Sequence, residues 1–122
     1  MEPITLLRTA SVLLAITAAG GVVMAAIRFG GSKPNPPSWL AMLHGLLAAS
    51  GLTLLAYAYF VTAVPGTAAF ALLLFMIAAG GGVVLNLGYH LKAAPLPVGL
   101  VLVHATIAVV AFILLLLAAW KG

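Results

Sequence analysis

His44 and His104 are the residues of this chain best suited to chemistry. Each lies inside a long apolar stretch, where an ionisable group is a functional candidate by default. Neutral imidazole is also the usual axial donor to haem iron. Their placement carries the rest of the argument. At an offset of 61, Ala18, Gly20, Gly21, Val22 and Val23 fall on Ala79, Gly81, Gly82, Val83 and Val84. One residue is then lost in the connecting loop, and at an offset of 60 Pro37, Leu40, His44, Ala48, Leu54, Leu55 and Ala58 fall on Pro97, Leu100, His104, Ala108, Leu114, Leu115 and Ala118. A fixed internal period marks a repeated structural unit, and a unit with an even number of spans repeats in parallel about an axis along the membrane normal. The two histidines then face each other across that axis.

The elements that must position them are membrane spans. With 66% hydrophobic and 5% charged residues, the 122-residue chain lies far outside the soluble globular range. A span needs about 20 apolar residues, and four stretches qualify: about Ile4 to Ile27, Trp39 to Val64, Thr67 to Leu91 and Leu96 to Trp120. Glycine- and proline-rich segments separate them, and these end helices. No soluble domain fits, and lipid excludes open sheet edges. The expected fold is therefore all-α, a single up-down-up-down four-helix bundle over 1–122, built from tandem two-helix repeats at about 4–64 and 67–120. The first apolar run is too long for a signal-peptide core and matches the third span in the repeat, so it is read as part of the mature protein.

Composition removes several functions. Without cysteine there is no disulfide, no thiolate ligand and no covalent c-type haem attachment. Glu2 is the only acidic residue and stands outside the spans, so hydrolysis and ordinary proton-coupled transport lack their carboxylates. The net charge of +4 comes from five basic residues near span ends. These read as interfacial anchors rather than a nucleic-acid patch. The loops at one end carry Arg28, Lys33 and Lys92 against Arg8 and Lys121 at the other, so the positive-inside rule puts the loops in the cytoplasm and both termini outside.

Counted from the loop end, the unusual residues share one depth. His44 and His104 lie seven residues beyond Pro37 and Pro97, and Gly21 and Gly82 lie seven before Arg28 and Tyr89. That is roughly 10 Å inside each span. Helices two and four are diagonal partners in such a bundle, so a porphyrin between them receives one imidazole from each side. Gly20, Gly21, Gly81 and Gly82 on the flanking helices are expected to leave room for its edges. Gly82, Asn86 and His90 recur at steps of four and are expected to share a face lining the mouth. With Arg28, Tyr89, Lys92 and Lys33 they form a candidate set for the propionates.

Axial histidines on the second and fourth helices, with glycines on the first and third, resemble the haem-binding core of the membrane cytochromes b. The resemblance implies one non-covalent haem b ligated by His44 and His104. Many of those proteins stack two haems on two histidines per ligand helix. Here each ligand helix has one, which implies a single centre on the loop side, handling electrons mainly at one membrane face. The resemblance suggests an electron-transfer protein or oxidoreductase subunit rather than a stand-alone enzyme. Candidate partners beside the bilayer are a quinone near Asn86, Tyr89 and His90, a redox protein at the basic loops, or a larger membrane complex or homo-oligomer. Two other readings compete. One is a copper or haem carrier, with Met24 and Met42 as soft donors beside His44, His90 and His104. The other is a cofactor-free interaction subunit whose histidines hydrogen-bond across helices.

Overall fold

The computed structural model describes residues 2–31 and 35–121. They form α1 (Pro3–Gly30), α2 (Ser38–Val61), α3 (Gly66–Leu85) continued by a π turn (Asn86–His90), and α4 (Val98–Trp120). No strand occurs among the described residues. The four helical segments are all long and apolar enough to cross a membrane. The fold is an all-α four-helix membrane bundle, and the chain is a multi-pass protein whose outer surface meets lipid.

Proline sets the helix starts. Pro37, Pro65 and Pro97 stand just before α2, α3 and α4 in extended conformation, where a missing N–H breaks no helical bond. α2 ends at Val61, a few residues short of the sequence expectation. Proline disfavours helical backbone in the residue before it, which here is Val64, and Thr62 already turns extended. The spans are apolar on every side: Val22, Trp39 and Phe60 point outward with 69%, 68% and 77% of their surface exposed. A helix hydrophobic all round belongs inside a large core or a bilayer.

α1 packs most extensively on α2, and α3 on α4; the α1/α4 and α2/α3 seams between the two hairpins are thinner. α2 and α4 are therefore diagonal to each other, as are α1 and α3. The duplication extends to burial. Leu14 and Phe75, Thr17 and Ala78, Gly51 and Ala111, Leu55 and Leu115, and Ala58 and Ala118 are buried in pairs. His44 and His104, Ala48 and Ala108, and Gly21 and Gly82 are half-buried in pairs.

The two ends of the bundle close differently. The end holding the termini is filled by Leu6, Leu7, Leu14, Leu55, Leu72, Phe75 and Leu115, interleaved with alanines. There Arg8 crosses from α1 to donate from Nε to the Ala119 carbonyl at 3.1 Å, with its guanidinium 5.2 Å from the Trp120 ring centroid. At the loop end the closure is polar. Asn35 donates to the Ala94 carbonyl at 2.8 Å and accepts from the Leu96 N–H at 2.9 Å. Arg28 Nε donates to the Leu96 carbonyl at 2.8 Å, and His90 Nε2 to the Pro36 carbonyl at 2.8 Å. Every one of these bonds joins one repeat to the other. After the π turn, Ala94 N–H bonds Tyr89 O and Ala93 N–H bonds His90 O, a Schellman closure. Ala93 occupies its left-handed position, with φ 55°.

Candidate functional site

Between the leucine-filled end and the polar loop clamp lies the histidine layer. The interior positions here are small: Gly20 and Gly21 on α1, Ala41 and Ala48 on α2, Gly81 and Gly82 on α3, Ala108 on α4. All of them remain half-buried, while Leu14, Leu55, Phe75 and Leu115, two turns from Gly21, Ala48, Gly82 and Ala108, are buried.

Each histidine is fixed by its own hairpin. His44 Nδ1 bonds the Thr17 carbonyl of α1 at 2.9 Å, and His104 Nδ1 bonds the Ala78 carbonyl of α3 at 2.7 Å. A carbonyl oxygen only accepts, so each Nδ1 carries a proton, which leaves Nε2 as the bare lone pair of the neutral ring form. The acceptors, like the histidines, are repeat equivalents: 78 follows 17 by 61, and 104 follows 44 by 60. An imidazole oriented by a backbone carbonyl on one nitrogen is the usual state of a metal-ligating histidine, and the hydrogen bond also makes the other nitrogen a better donor.

The two rings lie with centroids 6.3 Å apart and planes at 69°. Two imidazoles that shared one ion through Nε2, about 2 Å from each, would have centroids about this far apart. The sequence expectation that helices two and four bring the histidines together across the diagonal is realised in this geometry.

The glycines serve the histidines more directly than expected. A Cβ on Gly21 would stand 3.0 Å from His44 Cε1, and one on Gly82 3.3 Å from His104 Cε1. On Gly20 and Gly81 it would stand 4.0 and 3.6 Å from the respective Nδ1 atoms. The space these glycines leave is filled by the imidazoles themselves, which press edge-on against the neighbouring helix to reach its carbonyl.

At the loop end the expected mouth residues separate. The π turn adds a residue to the helical repeat, so that Leu91 N–H bonds Asn86 O at 2.8 Å, and His90 is carried off the line of Gly82 and Asn86. Asn86 is exposed, and the Nε2 of His90 is engaged by Pro36. Arg28 uses Nε on Leu96 and keeps its two terminal amino groups for another acceptor. Tyr89, its repeat equivalent, is half-buried like Arg28, whereas Lys92 is exposed. Lys33 lies outside the described residues. Met42 is 64% exposed on the outer surface, while Met24 is half-buried, three residues beyond Gly21. Among the described residues no three of His, Cys, Asp and Glu converge as a metal cluster.

The sequence reading missed Asn35 and the two carbonyl acceptors. Asn35 stands between Pro34 and Pro36, which have no N–H to offer, so its amide was the available group for tying the loops. The carbonyls leave no mark in residue type. Only the shared offset of Thr17 and Ala78 could have singled them out. The sequence matches no family model, and no curated protein or solved structure is significantly similar to it.

Proposed function

We propose that His44 and His104 are the axial ligands of one non-covalent haem b, and that the protein is a small membrane cytochrome passing single electrons at the loop-side face. The observation that carries this reading is the matched pair of imidazoles, each held by a carbonyl of its own hairpin with Nε2 unpaired, 6.3 Å apart across the bundle diagonal. The donor set suits haem iron. The glycines and alanines around the pair, small and half-buried, suit a flat group lying between the hairpins. When bound, such a group would supply a one-electron couple.

The chain's own residues supply the rest. Thr17 O and Ala78 O orient the rings and strengthen their donor character. The surrounding alanines, glycines and aliphatics exclude water, which tunes the potential through burial. With His44 and His104 both committed to such a group, no site would be left open for oxygen, so the chemistry it would supply is one-electron transfer. The free amino groups of Arg28 at the loop end suit a propionate, in a charge-assisted hydrogen bond. The loop face, cytoplasmic by its excess of basic residues, is where a quinone or a redox protein exchanges electrons with the centre.

The test is the visible spectrum of the detergent-purified protein, oxidised and then dithionite-reduced, after expression with ample haem. The expected result is the sharp bands of a low-spin six-coordinate b-type haem at one per chain, lost in His44→Ala and in His104→Ala. A folded, colourless protein that takes up no added haem overturns the proposal.

A further inference from the structure

We infer that, with no macrocycle between them, His44 and His104 hold a single copper(I) ion in a two-coordinate site, and that copper(I) and haem exclude each other there. The copper site rests on the geometry of the pair alone, while the mutual exclusion also rests on the haem proposal.

The argument is one of donor number and charge. Both imidazoles reach the site in one tautomer, with Nδ1 committed to Thr17 O or Ala78 O and Nε2 free. Their rings lie 6.3 Å apart, centroid to centroid, a separation that one ion bridging the two free Nε2 atoms would occupy. No third histidine or carboxylate joins them: His90 is engaged at the loop clamp with Pro36, and Glu2 precedes α1 at the opposite end of the bundle. Zinc(II) requires four donors in a closed protein site. Copper(II) prefers a tetragonal set of nitrogen and oxygen ligands. Two neutral nitrogens satisfy neither. A filled d shell without geometric preference makes copper(I) content with two ligands in line.

Charge points the same way. The penalty for placing an ion in an apolar interior grows with the square of its charge, so a divalent ion costs about four times as much as a monovalent one. The site offers no anion to offset either. A single positive charge shared over two imidazoles in a layer of Ala41, Ala48, Gly21, Gly82 and Ala108 is the smallest burden the donor set admits. The same two lone pairs are the ones a haem iron would take, so occupancy by one guest removes the ligands of the other.

The experiment uses the full-length protein purified in detergent from haem-deficient cells. It is titrated anaerobically with copper(I) against a chromophoric copper(I) chelator, and with zinc(II) in parallel. The expected result is one copper(I) per chain, an X-ray absorption spectrum of two nitrogen neighbours and no third ligand, loss of the bound equivalent in His44→Ala and in His104→Ala, and no zinc retained on desalting. The absorption spectrum is read on the parent protein, so it stands even if a variant misfolds. Failure to bind copper(I), a shell of three or four donors, or equal retention of zinc overturns the site. Haem is then added to the copper-loaded protein. The b-type bands should stay absent until the chelator removes the copper. Bands developing equally fast with copper present overturn the exclusion. A protein that binds copper(I) but never haem overturns the haem proposal and the exclusion, and leaves the copper site standing.

Discussion

The close approach of helices around the histidines can be measured by adding one methyl group at a time. Four glycines form a graded series. A Cβ on Gly51 would meet Leu14 Cγ at 2.6 Å and Cδ2 at 2.9 Å, with the Ala10 carbonyl behind at 3.4 Å. On Gly21 it would meet His44 Cε1 at 3.0 Å, on Gly82 His104 Cε1 at 3.3 Å, and on Gly80 nothing within 4 Å. Replacing glycine by alanine in a helix gains about 0.8–1.0 kcal/mol from propensity alone. Gly80→Ala should therefore stabilise by close to that amount. At Gly51 the obstacle is a leucine only 4% exposed, with no slack. Overpacking there costs about 1–3 kcal/mol, so the balance is a net loss of about 1 kcal/mol. At Gly21 the ring can yield only by straining its 2.9 Å bond to Thr17 O. That bond is worth about 1 kcal/mol, which cancels the propensity gain. Gly82→Ala, with slightly more clearance, should fall between Gly21→Ala and Gly80→Ala. Reversible unfolding in mixed micelles, followed by helical circular dichroism, should rank the variants Gly80→Ala, Gly82→Ala, Gly21→Ala, Gly51→Ala from most to least stable, over a spread of about 2 kcal/mol. Gly51→Ala and Gly80→Ala agreeing within a few tenths of a kcal/mol would refute the reasoning, because it would mean that α1 and α2 do not touch at that point.

Other perturbations have equally definite outcomes. Leu55 and Leu115 are repeat equivalents with no exposed surface, so Leu55→Ala and Leu115→Ala should each lose about 2–4 kcal/mol in the same unfolding assay, by similar amounts. Ala93 holds a left-handed conformation at φ 55°, which strains a residue with a Cβ by about 1 kcal/mol. Ala93→Gly should recover most of that as a higher unfolding midpoint. Asn35→Ala removes both side-chain bonds between the loops and should destabilise by about 1–3 kcal/mol, with amide exchange accelerating at Leu96 ahead of the helices.

The architecture was largely legible in the chain because each of its determinants is a local or periodic signal. The four apolar runs, the prolines before α2, α3 and α4, and the two offsets each restrict the fold on their own, and they agree. The histidine register was legible for the same reason, since counting from Pro37 and Pro97 fixes depth along a straight helix. Direction around the helix was harder to read. That Gly21 and Gly82 face an imidazole rather than a porphyrin edge depends on how the hairpin partners rotate against each other, and helices apolar on all sides carry no polar face to reveal this. The π turn was hidden too: nothing in Asn86-Leu87-Gly88-Tyr89-His90 breaks a pattern of four, yet Leu91 N–H, five residues on, bonds Asn86 O. Asn35 looked like one more loop residue until its partners on the other repeat were seen.

The uneven filling of one repeated unit ties the fold to the function proposed for it. The same hairpin, used twice, places leucines at 55 and 115 and alanines at 58 and 118 to make a closed core at one end. Two turns away it places glycine and alanine at the interior positions around His44 and His104. The hairpins cannot simply settle together over the small residues. Leucine packing and the Arg8 bond to Ala119 O hold their spacing at one end, and the bonds of Asn35, Arg28 and His90 hold it at the other. A close-packed interior normally leaves few voids larger than a water molecule, and an apolar lining has no polar partners for ordered water apart from the two bare Nε2 atoms. Under the proposed function, helices clamped at both ends around such a layer would hold a haem between them. Each hairpin arrives at that layer with its own ligand already oriented. A haem bound as proposed would bridge the thinner seams between the repeats, and its binding should stabilise their association more than the contacts within either hairpin.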